Sequence, residues 1–257
     1  MAMQRWVGRV AVVTGASAGI GAEICRELVK HGMIVVGCAR DVDRIRAICE
    51  EENVKSAVGS LKPVKCDLTK ENEILSMFED IRKTYGCVHL CINNAGFSEI
   101  NTTLLEGDTD SWRRMLEVNV MGLCICTRES IKLMRENSIN DGQIIHISSM
   151  SAHRVRPGGL SFYSGTKFMV KALAEGFRNE LRASNSGIRV ACISPGMVDT
   201  EFHKRLFKDN PEEARRRVSQ FTFLKAEDIA RAVLNILEME PHIDINDIII
   251  RPTEQPF

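Results

Sequence analysis

Residues 10–21 read VAVVTGASAGIG, and this stretch decides the fold. Val10–Val13 has the valine-rich, apolar composition of a strand that is buried on both faces. It runs directly into a glycine turn at residues 14–21, and a helical pattern follows at Ile20–Lys30. Glycine permits a tight turn and close approach to the backbone, and a helix N-terminus offers N–H groups to an anion. This order predicts a site for the pyrophosphate of a dinucleotide.

Strand-like and helix-like segments alternate along the rest of the chain. Apolar runs of strand length follow at Ile34–Cys38, His89–Ile92, Gln143–Ile147, Arg189–Ile193 and Asp247–Ile250, with a shorter candidate at Pro63–Cys66. Amphipathic helical patterns occupy Glu71–Tyr85, Ser111–Glu136, Phe162–Arg182 and Ala226–Glu238. This alternation predicts an α/β fold of the Rossmann type, a doubly wound and mostly parallel seven-stranded sheet with helices on both faces. Because no linker or repeat divides the chain, residues 1–257 are interpreted as one domain.

Composition excludes several classes of function. The chain has 34 Lys plus Arg and 34 Asp plus Glu, so no net charge attracts it to nucleic acid or to an anionic membrane. It has no apolar run long enough for a membrane span and no secretory signal pattern. None of its nine cysteines has the C-x2-C spacing of a zinc site, and no metal is predicted. Reduced thiols in a cytoplasmic protein are the expected state.

A proton-transfer group is indicated by Tyr163 and Lys167, which lie four residues apart on one helix face. Free tyrosine has a pKa near 10 and is a poor base at neutral pH, and a neighbouring ammonium lowers that pKa. The pair therefore supplies an acid/base and its tuner. Ser149 follows the strand Gln143–Ile147, where its hydroxyl can hold a substrate oxygen, with Ser148 and Ser151 as rivals.

The choice of cofactor depends on the end of the second strand. Dinucleotide folds that use NAD place an acidic side chain near this point, whereas this chain has Ala39 followed by Arg40. A guanidinium can bind a 2′-phosphate through charge-assisted, bidentate bonds, which predicts NADP(H). Asp41 is adjacent and acidic, Ser17 is a second candidate donor to the phosphate, and a solvated arginine is the alternative interpretation of Arg40.

Motifs from residue 9 to about residue 200 resemble those of the short-chain dehydrogenases/reductases and stand in that family's order. They are the turn T-G-x-x-x-G-x-G, Asn93-Asn94-Ala95-Gly96, Asn119, Ser149, Tyr163-x-x-x-Lys167 and Pro195-Gly196. The ending Arg251-Pro252-Thr253-Glu254-Gln255 resembles a subgroup of cytosolic NADP-dependent members that includes insect farnesol dehydrogenases and a vertebrate reductase of keto-steroids.

The resemblance implies a role for each matching residue. Tyr163 would be the catalytic acid/base, Ser149 would hold the substrate oxygen, Lys167 would tune Tyr163 and contact the ribose, and Asn119 would bind a water that links Lys167 to solvent. The predicted cofactor-binding residues, including Tyr163 and Lys167, are Gly15, Ser17, Gly19, Ile20, Gly21, Arg40, Asp41, Asp67, Leu68, Asn94, Ala95, Gly96, Pro195, Gly196, Val198 and Thr200. For Asp67, a carboxylate at a helix N-terminus is an equally good interpretation.

The substrate follows least directly from the sequence. Apolar residues near the expected mouth favour a hydrophobic alcohol, aldehyde or ketone, although each could equally belong to the core: Met150, Leu160, Met197, Phe202, Leu206 and Phe207. The charged segment Glu201–Phe221 is interpreted as a substrate lid, with a solvated helical excursion as the alternative. The resemblance favours a farnesol-like isoprenoid alcohol or a keto-steroid, with broad carbonyl reduction as the second choice. It also implies a homodimer or homotetramer built on the helices Ser111–Glu136 and Phe162–Arg182.

Two other classes of function share some of these motifs. A non-catalytic NADP-binding scaffold or sensor need not keep the Asn, Ser, Tyr and Lys set, which this chain has in full. Nucleotide-sugar epimerases and dehydratases share the Y-x-x-x-K pair, but they are generally longer, with a larger substrate domain.

Overall fold

The computed structural model describes residues 2–99, 102–155, 159–202 and 222–255. Seven parallel strands form one sheet in the order β3-β2-β1-β4-β5-β6-β7. The strands are β1 (Val10–Thr14), β2 (Ile34–Ala39), β3 (Ser60–Lys65), β4 (Leu90–Asn93), β5 (Gln143–Ile147), β6 (Arg189–Pro195) and β7 (Asp247–Ile250). The predicted doubly wound, seven-stranded Rossmann fold is confirmed. The chain order reverses between β1 and β4, and ligands of such sheets bind at this switch point.

Helices cover both faces of the sheet. They are α1 (Gly19–Lys30), α2 (Val42–Cys49), α3 (Glu52–Lys55), α4 (Glu71–Tyr85), α5 (Thr109–Leu116), α6 (Gly122–Glu136), α7 (Ser161–Ala183) and α8 (Ala226–Glu238), and short 3-10 helices span Ala2–Trp6 and Met150–Ala152. The core divides into two clusters, one on each side of the sheet. Alternate residues of β1 explain this division, because Ala11 and Val13 join one cluster while Val10 and Val12 join the other.

Two parts of the helical prediction were wrong. The helix expected over Ser111–Glu136 is three consecutive pieces, because residues Glu117–Met121 form a π-helical turn between α5 and α6. Helix α2 was not predicted. Its N-cap is Asp41, whose side chain accepts a hydrogen bond from the backbone N–H of Arg44.

The lid interpretation falls mostly outside the described residues. Of the segment 201–221, the structure describes Glu201 and Phe202. The chain just before this segment is joined to the chain just after it by a parallel bridge between Val198 and Leu224. Two backbone hydrogen bonds close this bridge, from Asp199 N to Leu224 O at 2.8 Å and from Leu224 N to Met197 O at 3.0 Å.

None of the described helices is both long and apolar enough to cross a membrane. Within the described ranges, no cluster of three His, Cys, Asp or Glu side chains is arranged to hold a metal ion.

Candidate active site

A cavity of about 980 Å³ opens at the carboxyl ends of the strands, where β1 and β4 diverge. All but two of the predicted site residues line it: Gly15, Ser17, Gly19, Ile20, Arg40, Asp41, Asp67, Leu68, Asn94, Ala95, Gly96, Ser149, Tyr163, Lys167, Pro195, Gly196, Val198 and Thr200. The two exceptions are Gly21 and Asn119, which lie behind the cavity wall. The fold therefore brings together residues that stand up to 185 positions apart, from Gly15 to Thr200.

The glycine turn forms one end of this cavity and is tightly packed. Gly15 has a φ of +68°, and a Cβ at Gly21 would lie 2.3 Å from the Gly15 carbonyl oxygen. The Asn94 amide Nδ2 donates to the carbonyl oxygens of Thr14 at 2.9 Å and of Gly15 at 3.3 Å. Asn94 therefore braces the turn. Gly21 is required behind the wall because even an alanine there would collide with the turn's own backbone.

Helix α1 begins at the same turn and is open toward the cavity. Its N-cap residue, Ala18, makes no side-chain cap, and its first turn carries no acidic residue. The first N–H groups of a helix need partners and attract anions. The first turn of α1 thus presents donors and a favourable dipole without a competing side-chain carboxylate.

Beyond β2, the cavity wall carries charged side chains of both signs. Arg40 is exposed and lines the cavity next to Asp41, whose carboxylate is engaged in capping α2. Arg44, one turn further on, also lines the cavity and pairs through both terminal nitrogens with the carboxylate of Glu201. Asp67 lines the same end, and its Oδ1 accepts hydrogen bonds from the backbone and hydroxyl of Thr69. Asp67 therefore closes a turn that precedes α4, whose own N-cap is Lys70, and its contact with the adenine stays a prediction.

At the other end of the cavity lie Ser149, Tyr163 and Lys167, three of the residues predicted to be catalytic. Burial raises the pKa of Tyr163 to about 12, and a hydrogen bond with Ser149 acts in the opposite direction. Burial lowers the pKa of Lys167 to about 8, and its Nζ donates to the Ile147 carbonyl at 3.0 Å. The expectation that Lys167 lowers the tyrosine pKa is not what the structure shows. Lys167 Nζ lies 5.8 Å from the Tyr163 ring centroid, and burial of the phenol is the dominant effect.

Asn119 occupies the π-helical turn, and its side chain is fully engaged. Its Oδ1 accepts from the backbone N–H of Phe97 at 2.8 Å, and its Nδ2 donates to the Phe97 carbonyl at 2.9 Å and to Thr166 Oγ1 at 3.1 Å. The amide thus fastens the β4–α5 loop to α7, directly behind Tyr163 and Lys167. Single π turns inside α-helices are frequent at functional sites.

The three candidate serines have distinct environments. Ser149 Oγ accepts a hydrogen bond from Ser151 N at 3.0 Å and is also bonded to Tyr163. Ser148 Oγ is buried and has no partner among the described residues, although the side chain lines the cavity. Contact with Tyr163 favours Ser149 as the residue that holds the substrate oxygen.

The segment after β6 completes the wall and joins the two ends of the cavity. Thr200 packs against the glycine turn, where its Cγ2 lies 3.1 Å from the position of a Cβ on Gly19. Met150, Leu160, Met197 and Phe202 line the cavity as predicted, and the Phe202 ring centroid lies 5.9 Å from that of Tyr163. Leu206 and Phe207 lie outside the described residues.

The sequence model of the short chain dehydrogenases matches residues 9–211 of the chain. The chain belongs to the short-chain dehydrogenase family. It is 51% identical over 254 residues to dehydrogenase/reductase SDR family member 11 of Gallus gallus, covering 98% of this chain and 99% of the relative. It is 39% identical to farnesol dehydrogenase of Aedes aegypti, covering 99% of this chain and 100% of that protein.

Solved structures show the same architecture. The closed form of a serine dehydrogenase complexed with NADP+ superposes with a TM-score of 0.87 at 26% identity, over 96% of each chain. Like the relatives named above, this short-chain dehydrogenase is an oxidoreductase. Its substrate class and its choice of cofactor depend on its own residues.

Several cavity residues of this short-chain dehydrogenase were missed from the sequence. Arg44 would have followed from recognising Asp41 as a helix cap, because the cap places Arg44 one turn into α2. Phe97 and Arg114 lie on the substrate side, with the Arg114 guanidinium carbon 5.5 Å from the Phe97 ring centroid. Gln255 reaches the cavity from the segment after β7, and nothing local in the sequence indicates that approach.

Proposed function

We propose that this short-chain dehydrogenase is an NADP(H)-dependent enzyme that interconverts a hydrophobic alcohol and its carbonyl compound. The observation that carries this proposal is the buried contact of Tyr163 with Ser149, one helical turn from Lys167 and inside the cavity that the glycine turn enters. A non-catalytic scaffold does not require a buried phenol and a buried amine beside its cofactor cleft.

The residues present fit a dinucleotide phosphate. The packed turn at Gly15 and Gly21 and the uncapped start of α1 suit the pyrophosphate. Arg40, together with Arg44 and Ser17, would hold the 2′-phosphate, since guanidinium groups bind phosphate in a bidentate manner. Ser148 Oγ, buried without a partner in the described structure, is a polar group available to the nicotinamide end.

When bound, the nicotinamide would supply the hydride chemistry at the carbinol carbon. With a pKa of about 12, Tyr163 is a neutral phenol at pH 7, so in reduction it donates its proton to the forming alkoxide. Ser149 donates a hydrogen bond to the same oxygen and stabilises the charge that develops there. Lys167, with a pKa of about 8, is an ammonium at neutral pH and favours return of a proton to the tyrosine.

The substrate side supports a hydrophobic molecule. Met150, Leu160, Met197 and Phe202 give the cavity an apolar wall beside Tyr163. The relative from Aedes aegypti is named a farnesol dehydrogenase, which supports an isoprenoid alcohol as one candidate. A keto-steroid fits the same apolar wall, and broad carbonyl reduction is the alternative. Arg114 also lines the cavity, where its guanidinium pairs with the carboxylate of Glu99.

The test is a comparison of NADPH and NADH as reductants for a panel containing farnesal, a keto-steroid and a small polar ketone. We expect saturable oxidation of NADPH with the two hydrophobic carbonyls and much slower oxidation of NADH. Equal rates with both cofactors would remove the NADP assignment. Absence of turnover with every carbonyl, together with tight NADPH binding, would favour the scaffold instead.

We also propose a homo-oligomer assembled through α7. Three large apolar side chains on this helix, Phe168, Met169 and Leu173, are 42%, 44% and 39% exposed, and Met121 on the adjoining π turn is 47% exposed. Sedimentation velocity of wild type and Leu173→Glu tests this, with dissociation expected in the variant.

The nine cysteines are all free thiols, which supports a cytoplasmic location.

A further inference from the structure

Gln255 lies in the segment that follows β7, far along the chain from the catalytic residues, yet its side chain is 4% exposed and lines the cavity. Its Oε1 accepts a hydrogen bond from the backbone N–H of Met197 at 2.9 Å. Its Nε2 donates to Met150 Sδ at 3.4 Å. One amide therefore connects the residue after Ser149 with the segment that follows Pro195-Gly196.

The packing around Gln255 leaves it little freedom. A Cβ on Gly196 would lie 2.3 Å from Gln255 Oε1 and 2.8 Å from Arg251 Cβ. The backbone of Gly196 is itself tied to the end of β7 by a 2.7 Å hydrogen bond from its N–H to the Ile250 carbonyl. Gly196 is thus required by the approach of Gln255, which gives that glycine a structural reason beyond the turn it forms.

The neighbouring residue holds the other side of the same region. Glu254 Oε2 accepts from the backbone N–H of Thr222 at 3.0 Å. Leu224, two residues further on, pairs with Met197 and Asp199 at the bridge described above. Glu254 and Gln255 therefore hold two segments in place, the backbone at Thr222 and the backbone at Met197, on either side of the Val198–Leu224 bridge.

We infer that Gln255 is a positioning residue for the proposed reaction, holding the Ser149–Met150 and Gly196–Met197 walls in register around the reacting carbon. The inference rests on the proposed function for its kinetic consequence. Its physical basis is that reacting groups must be placed to within about an ångström, so that a small displacement of a wall is costly to the chemical step. A buried N–H that loses its acceptor also forces the surrounding backbone to rearrange.

The test compares two nearly isosteric variants. Gln255→Met removes the oxygen that accepts from the Met197 N–H. Gln255→Glu keeps an oxygen acceptor at that position. We expect Gln255→Met to lower kcat about tenfold to a hundredfold, with a smaller change in KM and an unchanged Kd for NADPH. Gln255→Glu is expected to recover most of the wild-type kcat. Thr253→Ala, an exposed position on the same segment, is the matched control and should behave as wild type.

A second readout does not depend on activity. Hydrogen exchange at the Met197 amide should accelerate in Gln255→Met and remain slow in Gln255→Glu and Thr253→Ala. Should Gln255→Met fail to fold, Gln255→Asn withdraws the amide by one methylene and replaces it in both measurements. Wild-type kcat in a folded Gln255→Met would overturn the positioning role. An enzyme inactive with every carbonyl would instead overturn the proposed function, and the exchange data would still decide whether Gln255 holds Met197.

Discussion

The two ends of the cavity are built in different ways. At the nucleotide end, which is the end formed by the glycine turn, the Gly21 backbone packs so closely against the Gly15 carbonyl oxygen and the Asn94 side-chain amide that no Cβ fits between them. At the substrate end, side chains from distant segments meet, as where the Phe202 ring lies 5.9 Å from that of Tyr163 between centroids. The first kind of contact has a short sequence signature, because it needs glycine at fixed spacings. The second kind permits many residue types, so specificity can change there while the nucleotide end stays fixed.

Removing the proton donor tests the point where the two ends meet, and it is expected to have the largest effect. Tyr163→Phe keeps the ring but loses the hydroxyl that contacts Ser149. We expect kcat to fall about a thousandfold. The Kd for NADPH, measured by fluorescence titration, should stay near that of wild type. Near-wild-type turnover would show that Tyr163 is not the acid.

The pH dependence separates the two buried titrating groups. Lys167 has a pKa lowered to about 8, and carbonyl reduction uses its ammonium form. As pH rises through about 8 that charge is lost, so kcat/KM for reduction should fall by up to about tenfold per pH unit. Tyr163, with a pKa of about 12, stays protonated over this range. Steady-state rates from pH 6 to 10 check this, and a flat profile over that whole range would exclude Lys167 as the titrating group.

At the nucleotide end, Arg40→Ala should weaken NADPH binding by about tenfold to a hundredfold, because it removes a charge-assisted contact to the phosphate. The Kd for NADH should not change. Arg46→Ala is the matched control, since Arg46 lies nearby on α2 but pairs with Asp43 and does not line the cavity. Identical losses for NADPH and NADH would mean that Arg40 does not read the 2′-phosphate.

Steric substitution of the glycine turn breaks the backbone packing directly. In Gly21→Ala the new Cβ would lie 2.3 Å from the Gly15 oxygen and 2.4 Å from Asn94 Nδ2. Overpacking of this kind costs about 1–3 kcal/mol of folding stability. Urea unfolding should show this loss, along with weaker binding of both NADPH and NADH. Gly176→Ala, inside α7 and with no described atom outside the helix backbone within 4 Å of the new Cβ, is the control and should leave stability unchanged or raise it by up to about 1 kcal/mol, because alanine is the better helix former.

The smallest effect is expected at the substrate end. Phe162 does not line the cavity itself but precedes Tyr163 on α7, and Phe162→Leu removes its stacking with Trp112, worth about 0.5–1.5 kcal/mol beyond the area it buries. We expect a severalfold increase in KM for the carbonyl substrate and an unchanged Kd for NADPH. A shift in cofactor binding equal to the shift in KM would contradict the independence of the two ends.

The sequence predicted what depends on local pattern. Strands β5 and β7 and helices α4 and α8 have the predicted bounds, since hydrophobic periodicity defines them. Nearly all residues predicted at the glycine-turn end line the cavity, for the reason given above, and their binding of a cofactor stays a prediction. The π turn at Glu117–Met121 was not, because its residues fit an α-helical pattern equally well. Arg114 and Gln255 were missed as site residues because only tertiary packing brings them to the cavity.

The brace on the glycine turn also has a consequence for synthesis on the ribosome. Thr14 Oγ1 accepts hydrogen bonds from the backbone N–H groups of Asn94 and Ala95, each at 3.0 Å and about eighty residues away. At a synthesis rate of about 5–20 residues per second, these partners are made roughly 4–16 s after the turn itself. During that interval β1 lacks its β4 neighbour, so the valine-rich edge of the growing sheet is open to wrong pairing. The strand that starts the nucleotide site is therefore where chaperone protection would matter most.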